Sequence, residues 1–279
     1  MQSGELIRRA GYLREDYRFF HLRDTAGQEL DFHFHEFDKL VILLSGRVDY
    51  AVESAVYRLR PWDVLLVKHH TIHRAIIDRG ELYDRVILYL DSQYLERLSR
   101  FAALTDCFSL ADRAGRHLLS TEGPAREQLC RLVEELEQAQ GDDQFGAEAW
   151  REACLVRLLV LINRMARGGG SLAQSQPVYD AKIAQTLSYI NENLTRNITV
   201  EELAERVFLS KYYFMRLFKA QTGASVHSYL RQKRLLRAAR LIREGTPVNK
   251  AAADSGFRDY SVFYRAFRES FGVSPRELK

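Results

Sequence analysis

The sequence predicts an α+β chain of two domains: an N-terminal β-barrel or sandwich with a helical segment behind it, and a C-terminal all-α domain with two helix-turn-helix motifs. Three observations carry this. Short apolar, β-branched runs separated by turn signals fill residues 19–90. Helical periodicity replaces them beyond residue 92. Near the C-terminus two segments copy each other. SKYYFMRLFKAQTG (Ser210–Gly223) and DYSVFYRAFRESFG (Asp259–Gly272) align at an offset of 49 residues, matching Phe214 with Phe263, Arg216 with Arg265, Phe218 with Phe267 and Gly223 with Gly272.

The strand runs include LVILL (Leu40–Leu44), VDYAVE (Val48–Glu53), DVLLV (Asp63–Val67) and RVILYL (Arg85–Leu90), with turns at Ser45-Gly46, Arg60-Pro61 and Arg79-Gly80. Helices are expected over Ser92–Leu104, Ala125–Gln140 and Glu148–Arg167. In the second, Leu129, Leu132, Val133 and Leu136 share one face. The third carries Leu155, Leu158, Ile162 and Met165, with Leu159 and Leu161 besides. So apolar a helix has more than one face to cover, which offers those four residues as a dimer contact or as core within one chain. GGGSLAQSQP (Gly168–Pro177) is a flexible linker. The expected domains are thus 1–91, a barrel; 92–167, a helical dimerisation segment; 168–177, the linker; and 178–279, the double helix-turn-helix.

Beyond the linker, Asp180–Leu194 forms a supporting helix with Ile183, Leu187, Ile190 and Leu194 on one face. Thr199-Val-Glu-Glu202 is a capping box and Ser210 an N-cap, with Gly223 ending the helix that Ser210 starts. Thr246-Pro247 reads as a cap followed by proline at the first helical position, and Asp259 as the cap of the last helix. Between the two units Ser225–Glu244 predicts a helix of about 20 residues, ~30 Å long. That length approaches the ~34 Å between successive major-groove faces of B-DNA.

Charge supports a nucleic-acid partner. Residues 178–279 hold 18 Lys+Arg against 10 Asp+Glu, and the remainder 23 against 27, so a basic third follows an acidic body. Three cysteines without a CxxC read as buried thiols in a reducing compartment. No signal peptide and no apolar run of membrane-spanning length is visible, and a cytoplasmic location is expected.

Groove chemistry assigns roles. Arginine donates two hydrogen bonds to guanine O6 and N7, so the outward Arg216 and Arg265 are the leading base readers, with a salt bridge or phosphate contact as the alternative. Helix N-termini and lysines suit phosphates, which points to Lys219, and Arg268 is its outward, DNA-binding counterpart of the same charge. Tyr212 and Met215 can meet thymine methyls or the interface rim.

LAERVFLSKYYFMRLFKAQTG, YLRQKRLLRAARLI and GFRDYSVFYRAFRESFGVSP resemble the DNA-binding domain of the AraC/XylS family of bacterial transcription regulators over the last 100 residues. The resemblance implies two helix-turn-helix units joined by a long helix, with Tyr212, Met215 and Arg216, then Ser261, Val262 and Arg265, facing bases. Ala251 stands where the family commonly has isoleucine, and Lys250 where it often has glutamate.

His33-Phe-His35, Gly46, Pro61-Trp-Asp63 and His73 resemble the cupin-type sensor barrel found at the N-terminus of that family. Alternation along one strand puts His33 and His35 on the same face. The pocket expected to bind an effector is lined by His33, His35, Lys39, Trp62 and His73. Lys39 occupies the place where a metal-binding cupin offers glutamate, so no metal is assigned; a vestigial pocket and a metal site with Glu36 remain as alternatives.

The expected function is a cytoplasmic, effector-responsive DNA-binding regulator without catalytic residues or cofactor. By family analogy it is an activator touching RNA polymerase, with a sugar as one effector class. Its partners are double-stranded DNA, a small molecule and a second copy of itself. The alternatives are a cupin metalloenzyme, an isomerase or oxygenase, with an appended DNA-binding domain, and a structural DNA-binding protein without effector.

Overall fold

Alternating apolar side chains organise the strands. The computed structural model describes residues 8–9, 11, 13–25, 32–53, 55–77, 80, 82–100, 102–168 and 181–278. Among these the strands are β1 (Arg8–Arg9), β2 (Tyr17–Asp24), β3 (His33–Phe34), β4 (Asp38–Gly46), β5 (Val48–Val52), β6 (Ala55–Leu59), β7 (Val64–Val67), β8 (His73–Ile76), β9 (Tyr83–Leu90) and β10 (Leu118–Leu119). By contacts the chain divides into two units, one of residues 11–30 and 35–176, the other of residues 1–10, 31–34 and 177–279.

In the first unit β10, β7, β4, β9 and β2 form an antiparallel sheet in that order. A second antiparallel layer runs β8, β5, β6. Alternate residues of β4 face opposite ways. Val41 and Leu43 enter the core between the layers with Val48, Tyr50 and Ile87, whereas Leu40 and Ile42 enter a separate core with the helices. Burial on both faces is why LVILL is a continuous apolar run and not an alternating one.

The helices on the outer face are α1 (Ser92–Leu98), α2 (Asp106–Ala114), α3 (Gly123–Gln140) and α4 (Ala147–Arg167). The sequence reading merged α1 with the following loop and missed α2. Thr105, the residue before α2, makes no side-chain cap, so the local signal was weak. The missing partner comes from α4. Asn163 is buried, accepts from Cys107 N–H at 2.9 Å and donates to the carbonyls of Leu104 and Leu159, both at 2.9 Å.

The dimer contact offered from the sequence is corrected here for three of its four residues. Leu155, Leu158 and Ile162 are fully buried in the core that α4 makes with the sheet and the other helices, and Met165 packs against it. Side chains that fill one chain's own core, each contributing about 1.5–3 kcal/mol by burial, cannot also serve a partner. The second apolar face of α4 is turned to its own domain.

The second unit contains α5 (Ala181–Glu192), α6 (Val200–Arg206), α7 (Lys211–Thr222), α8 (Val226–Arg243), α9 (Val248–Asp254) and α10 (Tyr260–Phe271). It also includes the short parallel pair β1–β3, and the Phe34 ring meets Phe271 edge-on at 5.9 Å. α5 buries Ile183, Leu187 and Ile190. Gly168 closes α4 with its N–H on Arg164 O at 2.8 Å; the rest of the expected linker lies outside the described residues. No described helix is long and apolar enough to cross a membrane.

Candidate nucleic-acid interface and sensor interior

Local capping builds the two recognition helices, α7 and α10. Ser210 accepts from Tyr213 N–H at 3.4 Å, and Asp259 from Val262 N–H at 3.0 Å. Gly223 and Gly272 end them in the left-handed region, at φ 71° and 75°. Phe214, Phe218, Phe263 and Phe267 are fully buried. A helix with that inner face must present the opposite one. Tyr212, Met215, Arg216 and Lys219 on α7, and Ser261, Val262, Arg265 and Arg268 on α10, are all exposed. Met215, Arg216 and Lys219 line one shallow surface depression, and Arg265 and Arg268 line another.

Arg216 and Arg265 make no ion pair among the described residues. The Arg216 guanidinium lies 5.6 Å from the centre of the Tyr213 ring, and Arg265 Nε reaches its own helix's Ser261 carbonyl only at 3.4 Å. Neither contact consumes the fork of donors that guanine or phosphate would engage.

The two units are not congruent. Four residues connect α6 to α7 and five connect α9 to α10. The left-handed turn position is Phe208 in the first (φ 56°, exposed) and Gly256 in the second (φ 90°). A Cβ on Gly256 would lie 3.0 Å from both Arg234 Nε and Leu194 O. Two caps also differ from expectation. Thr199 accepts from Glu202 N–H at 3.1 Å, but the Glu202 carboxylate takes the Tyr189 hydroxyl and does not reach back to the cap. At α9 the N-cap is Pro247 itself, with no side-chain cap, so Thr246 does not play that part.

The joining helix α8 has 18 residues, ~27 Å of rise. Part of its basic load is structural. Arg234 donates to Leu194 O at 3.0 Å and Arg196 O at 2.7 Å, and Arg237 donates to Asp254 O at 3.1 Å, each satisfying carbonyls at or near a helix end. Arg240 and Arg243 remain exposed.

In the first unit, Lys39 and His73 are buried and share the inter-layer space. Lys39 alternates with Val41 and Leu43, and His73 with Ala75. His35 is buried 4.9 Å from the His73 ring, stacked on Phe37 at 4.5 Å and near Tyr89 at 5.6 Å, centre to centre. The continuous strand over His33–His35 is not formed: β3 ends at Phe34, and His35 lies in the connection to β4. His33 pairs with Arg8 in the second unit. Trp62 departs from the expected lining. It sits in the β6–β7 turn at φ 72° and packs toward the helical core, where its carbonyl accepts from Thr121 at 2.8 Å. Sequence reasoning missed Phe37, Tyr50, Arg85 and Tyr89. Alternation could have found two of them, because Tyr83, Arg85, Ile87 and Tyr89 share one face of β9.

A double helix-turn-helix domain with outward arginines, in one chain with a two-layered β unit that holds Lys39 and His73 between its layers, defines a DNA-binding regulator with its own sensor. Residues 18–159 match the model of the AraC-like ligand binding domain, and residues 203–279 match that of a helix-turn-helix domain. The chain belongs to the AraC/XylS family of transcription regulators. It is 27% identical to the HTH-type transcriptional activator RhaS of Enterobacter sp. (strain 638) over 88% of this chain and 86% of that one. It is 25% identical to the probable transcriptional regulator LumQ of Photobacterium leiognathi, over 90% and 93%. Among solved structures it is similar to ToxT of Vibrio cholerae, at 13% identity and a TM-score of 0.40 over 95% and 97% of the chains.

Proposed function

We propose that this protein is a cytoplasmic, one-component transcription activator. Its two recognition helices read successive major-groove segments, and a small molecule held between the layers of the sensor unit changes the preferred DNA arrangement. The observation that carries the DNA half is the repeated exposed face of α7 and α10, with Arg216 and Arg265 at equivalent positions and neither spent on an ion pair among the described residues. Tyr212, Met215, Ser261 and Val262 complete base contacts, while Lys219 and Arg268 hold phosphates. Activation follows the named activators among its relatives, and contact with RNA polymerase is the route by which an activator acts.

The working form is a homodimer. With Leu155, Leu158 and Ile162 buried, self-association of the sensor unit uses what remains outside, where Phe145 and Trp150 at the head of α4 are the most exposed large apolar side chains among that unit's described residues. The buried ammonium of Lys39 opposes a metal between the layers.

Selection of bound sequences from random duplex DNA tests the reading. The expected product is an asymmetric site of about two helical turns per subunit, because the two readers are not identical. Recovery of one short motif only, or of none, would overturn it.

A further inference from the structure

Lys39 is only 6% exposed, and its ammonium stands 5.9 Å from the centre of the Tyr50 ring in one layer and 6.0 Å from that of Tyr89 in the other. Among the described residues it has no hydrogen-bond or ion-pair partner. The nearby carboxylates are committed elsewhere. Asp38, on the opposite face of β4, binds His69 N–H and Nδ1 at 2.8 Å and Ser92 at 3.1 Å. Asp24 binds Arg85 at 2.5 Å.

Arg85 is a second cation on the same face, 4.0 Å over the Tyr83 ring, and its Nε is buried without a hydrogen-bond partner. Two cations therefore share the interior, and among the described residues one carboxylate, that of Asp24, reaches them. Cation–π contact offsets part of the cost of a buried ammonium but does not replace a counter-charge. Such a group is retained when something else supplies the anion.

We propose that the effector is a monocarboxylic acid with an apolar body. Its carboxylate pairs with Lys39 Nζ, and its body lies against Tyr50, Tyr89 and Phe37. This rests on the reading of the inter-layer space as the effector site, and it replaces a neutral sugar by an anion. An ammonium between tyrosine rings suits a carboxylate, and the clustered Phe37, His35 and Tyr89 rings, with centres 4.3–5.6 Å apart, suit a hydrocarbon body.

The test compares phenylacetate and hexanoate with their primary amides and with L-rhamnose and D-glucose. Thermal shift and titration calorimetry are read on the full chain and on Lys39→Met and Lys39→Arg. The expected result is a saturable rise in Tm with a carboxylate. The matched amide should bind at least tenfold more weakly. Binding should be abolished in Lys39→Met and partly kept in Lys39→Arg, with circular dichroism showing both variants folded. Carboxylate binding should also fade as pH rises past about 8, where burial makes Lys39 give up its proton.

Equal binding of acid and amide, equal binding by Lys39→Met, or no carboxylate binding overturns the proposal. A sugar that binds wild type and Lys39→Met alike, and alters DNA binding, overturns it while leaving the effector reading intact. A carboxylate that binds through Lys39 yet leaves DNA affinity and site preference unchanged does the reverse: the anion site stands and the effector reading falls.

Discussion

Replacing Lys39 by methionine should make the unliganded protein more stable at neutral pH, opposite to most core substitutions. Methionine keeps the length of the side chain and removes the charge. Burial, helped by the Arg85 charge, lowers the Lys39 pKa from 10.5 to about 8. At ~1.4 kcal/mol per tenfold change in proton affinity, that difference is about 3 kcal/mol held against the fold at pH 7.

The pH dependence has a definite sign. Below about 8 the lysine is charged in both folded and unfolded chains and the full penalty applies. Between about 8 and 10.5 the folded form alone releases its proton, so the wild type gains stability as pH rises; above 10.5 the penalty is gone. Both tryptophans, Trp62 and Trp150, lie in the sensor unit, so urea unfolding followed by their fluorescence reports on that unit. With a urea slope of ~1–3 kcal/mol/M, the variant's midpoint should lie ~1–3 M higher at pH 7, and the gap should close toward pH 10.5. A wild type that is the more stable at pH 7, or a gap that does not change with pH, would refute the reasoning.

Arg216→Ala and Arg265→Ala should each cost about 1–3 kcal/mol on a selected site and relax base preference locally, read by mobility shift on base-substituted duplexes; uniform loss across all duplexes would make them phosphate contacts instead. Gly256→Ala should destabilise the second helix-turn-helix by about 1–2 kcal/mol, because φ is 90° there and a Cβ meets Arg234 and Leu194 at 3.0 Å, and thermal unfolding of the full chain checks this. His21 bridges the sensor strand β2 to α3, with Glu137 at 2.5 Å and Asp84 at 2.9 Å. The Glu137 hydrogen bond, against partial burial and with Asp84 adding to it, raises its pKa above 6.5. Its stabilisation is therefore full below 6.5 and lost as pH rises through the raised value, and His21→Gln should flatten sensor stability across that window in the same fluorescence assay.

The recognition helices were legible because their signals are local. A cap, a buried phenylalanine pair and a closing glycine lie within 14 residues, and together they fix which side chains remain outside. The apolar strands were legible for a similar reason, since β4 and β9 advertise burial on both faces. The helix α2 was not, because its first-turn donor is satisfied by Asn163, 56 residues away. Nor was the division of labour among basic residues on α8, where Arg234 and Arg237 look in sequence like Arg240 and differ only in which carbonyls lie within reach.

By itself the sequence determined the two-part organisation, the paired readers and the family, since composition, periodicity and capping act between near neighbours in the chain. Only the tertiary structure decided three further matters. Leu155, Leu158 and Ile162 serve the chain's own core, because the sheet closes over them. Trp62 faces the helices and not the ligand space, because its turn adopts a left-handed conformation. Lys39, noted from the sequence as a pocket residue out of place for a metal, is a buried cation between two tyrosines, because alternation along β4 points it inward and no carboxylate of the described chain arrives to meet it.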